Sequence, residues 1–236
     1  MQYDIAGRTV TMPVEVRDAC AGTAMFDVDA GAAAALLPPG DAFTVVESSP
    51  GRAQLVLATI DYRDNDLGDY LEVGITMFVT PRSGSGSGSA DREPGTFITR
   101  LPVNQEFTCV AGRTIWGFPK TVEDITVVHK EDSAVTTLRI DGELVLRLTL
   151  PRGGADVMPQ MPMTTYTYID GVPHATPFSQ GGAGSQVLVG GTGVELELGT
   201  HPVADELAAL GLPTQTPVMS TWTEHMRGTF GTPVPL

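Results

Sequence analysis

Residues 111–121 read AGRTIWGFPKT, and this stretch marks where a helix stops and a strand begins. Phe107, Val110, Ala111, Thr114 and Ile115 fall at i, i+3, i+4, i+7 and i+8, the apolar stripe of an amphipathic helix that Asn104 would cap. Gly117 supplies a helix stop and Pro119 lies just beyond it, where a helix cannot continue. Lys120 follows the stop, and strand-like runs resume at 121–129, 134–141 and 143–150. The pattern is one short helix set among strands.

The flanking sequence repeats that grammar. Val10, Met12, Val14 and Val16 alternate with polar neighbours, which predicts an opening strand with one buried face. Asp29 caps a short alanine-rich helix ended by Pro38-Pro39-Gly40, and strand-like runs follow at 42–47, 52–62 and 69–80. The polar run SGSGSGSA at 83–90 has nothing apolar to bury, so a flexible loop insertion over 81–95 is expected. Asp141-Gly142 is the strongest hairpin signal, because that pair tolerates the positive φ of a tight turn. A second hairpin is expected at 190–193, between QVLV and VELEL, and a short helix over 203–210 ended by Gly211. These elements predict one domain spanning 1–236, mainly antiparallel β with a few short helices.

Composition narrows the function classes. The chain has 236 residues, 42% hydrophobic and 18% charged, enough to bury a sizeable core. With 28 acidic against 14 basic side chains the formal net charge is −14, which argues against nucleic acid or an anionic membrane as partner. Cys20 and Cys109 give neither a disulfide framework nor zinc-ligand spacing, and read as buried thiols in a reducing compartment. No secretory signal or apolar run of membrane-spanning length is seen, so a cytoplasmic protein is expected. Walker A, HExxH, GxSxG and GxGxxG patterns are absent, and the four histidines are scattered, so no metal site is expected.

Only two lysines occur, against twelve arginines. Lys130 lies in the charged run HKED, whereas Lys120 follows Ile115, Trp116, Phe118 and Pro119. A lysine with its stem packed and its head in water satisfies this pattern. So does a buried lysine whose pKa is lowered until the amine is neutral and nucleophilic.

The segment Gly112-Arg113 followed by Trp116-Gly117-Phe118-Pro119-Lys120 resembles the lysine motif of the acetoacetate decarboxylase family. Asn104-Gln105-Glu106 resembles the polar-acidic triplet upstream of it, and Leu67–Gly74 (LGDYLEVG) the segment carrying the family's active-site glutamate. Tyr3 to Arg8 has the tyrosine-to-arginine spacing of the family's arginine, and the last hundred residues are less diagnostic. The resemblance implies a barrel-like β core, a homo-oligomer, and a cofactor-free lyase that forms a Schiff base with a small keto acid. In that chemistry Lys120 is the nucleophile, Glu72 orients the amine and shuttles protons, and Arg8 meets the substrate carboxylate. Tyr70 shares a strand face with Glu72, and Trp116 and Phe118 are expected as the apolar wall of the pocket.

Two departures from the family stand out. Thr121 occupies the place of a second lysine, and a second acidic residue of the family falls on Leu55. Desolvation by Trp116 and Phe118 is therefore expected to do most of the work of lowering the Lys120 pKa. The departures keep open aldol condensation and dehydration of pyruvate with an aldehyde on the same lysine, and a non-catalytic pocket for a carbonyl ligand.

Overall fold

A computed structural model describes residues 1–39, 42–82 and 93–236. The expected loop sequence at 83–90 lies outside the described residues. The chain opens with β1 (Gln2–Ile5) and β2 (Arg8–Thr11), a hairpin that forms its own two-stranded sheet. The predicted alternation is real, with Val10, Met12, Val14 and Val16 all buried, but it does not run through one strand. Pro13, which has no N–H to give a ladder, separates β2 from the 16-residue β3 (Val14–Asp29).

Asp29 caps α1 (Ala30–Ala34) by accepting from the Ala32 amide, as expected. The short β4 (Phe43–Val45) and β5 (Glu47–Ser49) lead into β6 (Arg52–Asn65), β7 (Tyr70–Pro81) and β8 (Gly95–Val103). Next come α2 (Glu106–Trp116), β9 (Lys120–Val122), β10 (Asp124–His129), β11 (Ser133–Ile140) and β12 (Glu143–Pro151). The expected strand at 121–129 is thus two strands belonging to different sheets. Asp141 and Gly142, at φ 52° and 81°, turn β11 into β12. The same dipeptide at Asp170-Gly171, at φ 50° and 78°, joins two long strands, β13 (Asp156–Ile169) and β14 (Val172–Val189), of which the sequence predicts only the closing QVLV of β14. The chain closes with β15 (Glu195–Leu198), α3 (Pro202–Ala209), β16 (Met219–Phe230) and β17 (Val234–Pro235).

Gly190–Gly193 does not make the hairpin its flanking strands suggest. β14 pairs with β16, and β15 crosses to pair with β12 in a separate four-stranded sheet, β10–β11–β12–β15. Glycine permits a hairpin there, but the partner with the matching apolar face lies in the other layer.

Seven strands close into a barrel in the order β7–β6–β3–β16–β14–β13–β8, with β8 returning to β7. All neighbours are antiparallel except β13 and β8, which close the ring in parallel. Because side chains alternate across a strand, the ring has two surfaces. The outward one carries Phe26, Leu55, Leu57, Met77 and Trp222, each at most 1% exposed, and packs against Leu138, Leu146, Leu148 and Leu150 of the four-stranded sheet and Leu207 of α3. The inward one is closed at one end by α2 and by a second apolar cluster containing Tyr62, Tyr70, Leu101, Ile115 and Trp116. Among the described residues no helix is long and apolar enough to cross a membrane.

Candidate active site

α2 begins one residue later than Asn104 would place it. Gln105 is the cap, its side chain accepting from the Thr108 amide, while Asn104 Oδ1 accepts from the Leu71 amide at 2.7 Å. Gln105 Nε2 also donates to Asp69 O at 3.1 Å. The polar triplet is therefore stitched to the segment that carries Glu72. At the other end Gly117, at φ 67°, donates its amide to Arg113 O and ends the helix as predicted.

The turn at 117–119 sets Lys120 at the head of β9, paired with Leu101 on β8, while Glu72 pairs with Val103 on the same strand. Lys120 and Glu72 meet across β8. Nζ lies 2.8 Å from Glu72 Oε2, with side chains only 3% and 7% exposed. Lys120 Nζ also donates to Thr108 Oγ1 at 3.0 Å and sits 4.8 Å from the centre of the Tyr70 ring. Tyr62 stacks on Tyr70 with centroids 4.3 Å apart and donates from its hydroxyl to Glu72 Oε1 at 3.2 Å.

Gly112 explains how the lysine fits. A Cβ on Gly112 would lie 2.6 Å from Lys120 Cδ, so only glycine lets the stem pass beneath the helix. Glycine inside a helix costs roughly 1 kcal/mol relative to alanine, so its presence in the middle of α2 is a signal from which this close approach can be read, though the sequence reading takes Gly112 only as part of the motif. Thr108, one turn earlier on the same face, shares that spacing. Tyr62 carried no such signal, since only the β6–β7 register sets it opposite Tyr70.

The structure brings Lys120, Glu72 and Tyr70 together but gives other expected residues different surroundings. Trp116 stacks on Phe118 at 5.5 Å, meets Phe230 edge-on, and donates from Nε1 to Gly231 O. The groups around the ammonium are instead Glu72, Thr108 and Tyr70, while Gly112 lies against the lysine stem. Arg8 is exposed, with its guanidinium 3.7 Å above the Phe107 ring, and among the described residues it makes no hydrogen bond to the pair. Thr121 points to solvent. Leu55 lies on the outward face of β6 and is 0% exposed, so it does not stand where a second site carboxylate would. The inward residues of β6 are Gln54, Val56, Ala58, Ile60 and Tyr62, none acidic.

The expected pKa direction is corrected as well. Burial is the largest influence on Lys120 and pushes its pKa down, but the Glu72 carboxylate and Tyr70 outweigh it, so the ammonium is held above its ordinary range. Burial and the neighbouring carboxylate push Tyr62 well up, and burial pushes Tyr70 up, so both remain neutral phenols. The site is a dry ammonium–carboxylate pair framed by uncharged hydroxyl groups.

Comparison with known proteins agrees with this architecture. The sequence model of a family described as Acetoacetate decarboxylase (ADC) matches residues 6–234, so the chain belongs to the acetoacetate decarboxylase family. A crystal structure of acetoacetate decarboxylase from Legionella pneumophila subsp. pneumophila str. Philadelphia 1 is similar with TM-score 0.67 and 18% identity, over 98% of this chain and 91% of that one. The enduracididine biosynthesis enzyme MppR, complexed with pyruvate, is similar with TM-score 0.59 and 15% identity, over 98% and 92%. An acetoacetate decarboxylase-like enzyme from Sphingomonas wittichii RW1 is similar with TM-score 0.56 and 15% identity, over 96% and 94%. A comparison with curated protein sequences finds no significant match.

Proposed function

We propose that this protein is a lyase that condenses Lys120 with the ketone of a β-keto acid and decarboxylates it. The observation that carries the reading is the Lys120–Glu72 pair, 2.8 Å apart and almost wholly out of water. Attack on a carbonyl needs the neutral amine, so the proton must first cross from Nζ to Glu72 Oε2. In a dry site that single transfer removes two opposite charges, and a bound substrate that excludes water favours the uncharged pair. The amine then adds to the carbonyl carbon. Protonated Glu72 returns its proton to the new hydroxyl, which leaves as water and yields an iminium.

The iminium is the electron sink. Cleavage of the bond to the carboxylate sends its electron pair into the iminium, releasing CO2 and leaving an enamine. Protonation at carbon, with the proton drawn from solvent through Glu72, and addition of water then free the ketone and regenerate the amine. Tyr62 positions Glu72 through its hydroxyl, Thr108 positions the amine, and Tyr70 forms the face on which the ammonium rests. Arg8 is assigned no step. A cytoplasmic location and a homo-oligomer remain part of the proposal, with the exposed Val157, Met161 and Val189 offering apolar surface to a second copy.

One observation keeps a second reaction on the same lysine open. The inward face of β6 has no acid, and Thr121 faces solvent where the family places a second lysine, so addition of a pyruvate enamine to an aldehyde stands as the alternative. Borohydride reduction in the presence of a keto acid tests the shared step by fixing substrate mass on Lys120. Lack of any adduct across a panel of keto acids would overturn the proposal, and CO2 release from acetoacetate separates decarboxylation from aldol chemistry.

A further inference from the structure

The Lys120–Glu72 contact leaves one oxygen of the carboxylate to a different partner. Oε2 meets the ammonium at 2.8 Å, and Oε1 accepts from the Tyr62 hydroxyl at 3.2 Å. Tyr62 comes from β6, and the register that sets it opposite Tyr70 and sets Ile60 opposite Glu72 carries its hydroxyl to that oxygen. The residue is buried, and its ring is held by the stack on Tyr70, with planes 24° apart. Burial and the carboxylate push its pKa well up, so the phenol lends its proton to the bond without releasing it.

The neighbours of the pair do not treat its two charge states alike. The proton shared by Nζ and Oε2 gives either ammonium with carboxylate or amine with carboxyl, and only the second state holds a nucleophile. Thr108 Oγ1, 3.0 Å from Nζ, can accept from ammonium and amine alike. The face of Tyr70, 4.8 Å from Nζ, favours the ammonium. Tyr62 acts at the other end. A hydrogen bond to a carboxylate is about twice as strong as one to a neutral carbonyl oxygen, so Tyr62 favours the carboxylate and with it the charged pair. Cys109 on α2 is buried, and burial pushes its thiol up, so it brings no charge to the site. Glu106 and Arg113 of the same helix are exposed. Asp61, beside Tyr62 in sequence, is engaged with His129 and Arg63, and Arg100 of β8 is engaged with Glu206.

We infer that Tyr62 is the positioning residue that keeps the resting site charged, and so sets how often Lys120 is free to attack a carbonyl. The inference rests on the Schiff-base reading for the role of the free amine. It goes beyond that reading by assigning the resting charge state to a side chain outside the lysine and glutamate segments. While the pair is charged, a carbonyl compound that enters without displacing the proton meets an inert ammonium. Removing the hydroxyl takes away the preference for the carboxylate and moves the proton toward Oε2. The population of the uncharged pair then rises by about tenfold.

The test compares the intact wild-type protein with Tyr62→Phe, which keeps the stacked ring. Acetone serves as an uncharged carbonyl probe, and cyanoborohydride fixes the adduct at concentrations where imine formation limits the rate. Below the pH at which Lys120 titrates, adduct forms only through the uncharged pair, so the rate is level with pH and reports that population. This level rate is expected to rise about tenfold in Tyr62→Phe. The alkaline half-maximum is expected to stay in place, because Glu72 is a carboxylate on both sides of that titration. A variant that merely loosened the site would admit water, lowering both the level rate and the alkaline half-maximum. The infrared carbonyl band of a protonated carboxyl, assigned to Glu72 by its loss in Glu72→Gln, is expected to grow by a similar factor at neutral pH. Should Tyr62→Phe not fold, Tyr62→Leu carries the same two measurements. A level rate and an infrared band that both stay unchanged or fall would overturn the role of Tyr62 and leave the Schiff-base reading standing. A band that grows while neither protein forms an adduct with acetone or any keto acid would overturn the Schiff-base reading and leave the role of Tyr62.

Discussion

Two acid–base pairs in this molecule look alike on paper and differ in what they can do. Arg152 and Glu224 form a two-point bridge behind the barrel wall, at 2.9 and 2.8 Å, with both side chains about 20% exposed. Cys20 donates a further bond to Glu224 Oε2 at 3.3 Å. The guanidinium fork cannot give up its proton, and it holds the Glu224 carboxyl down at about 2. Lys120 and Glu72 share one contact, are drier still, and pair a carboxylate with an amine that can deprotonate. Water and geometry fix the first pair in one charge state. The second has a neutral alternative, which is what carbonyl chemistry requires.

The contrast can be broken most severely at Lys120. Lys120→Met keeps the stem and removes the amine, so turnover is expected to fall by about 10⁴-fold or more while circular dichroism shows an intact fold. Residual activity near wild type would remove Lys120 from the chemistry. At Glu72 the effect is smaller and carries a sign. Glu72→Gln removes the proton carrier and slows kcat by about 10²–10³-fold. It also removes the main influence that raises the Lys120 pKa and leaves burial to lower it. The pH at which borohydride trapping is half-maximal should then fall, and a midpoint that stays or rises would refute the role given to the pair.

At Arg152 the consequence moves from rate to stability. Arg152→Ala leaves Glu224 without its partner and is expected to cost about 2–3 kcal/mol in urea unfolding, with kcat of the folded protein changed by less than about twofold. Because the folded pKa of Glu224 lies below its ordinary value of 4.5, its contribution is complete above pH 4.5 and is lost as pH falls toward 2. The stability gap between wild type and Arg152→Ala should therefore narrow between pH 5 and pH 2.5, and a constant gap would contradict this assignment. The smallest effect is expected at Thr121→Lys. That side chain faces solvent, so rate and pH profile should stay within about twofold of wild type. A large shift would show that the position communicates with the site.

Legibility differed by element for identifiable reasons. The helix of residues 106–116, its glycine stop and the Asp141-Gly142 turn follow from local propensity, and each formed where the sequence placed it to within a residue or two. β13, and β14 apart from its closing QVLV, were missed because Pro159, Pro162, Pro173 and Pro177 and a run of glycines demote a strand on local grounds. Long-range pairing overrides that, and β13 closes the barrel despite its prolines. At the site, Lys120, Glu72 and Tyr70 were legible from motif and strand periodicity. Trp116 and Phe118 were expected at the amine because they adjoin it in sequence. The helix stop turns them instead into an aromatic stack with Phe230.

By itself the sequence determined which side chains share a face and where each regular element ends, because those depend on periods of 2 and 3.6 and on single residues such as Gly117. It also determined that one lysine would emerge from an apolar helix end. Only the closed ring decided what that lysine meets. Glu72 and Tyr62 reach it across strand registers set by many weak pairings, and their charge and dryness decide whether the amine carries its proton. The placement of Ala58 and Thr221 belongs to the tertiary structure for the same reason: alternation says which way each faces, but only the strand registers set both beside Thr23 of β3.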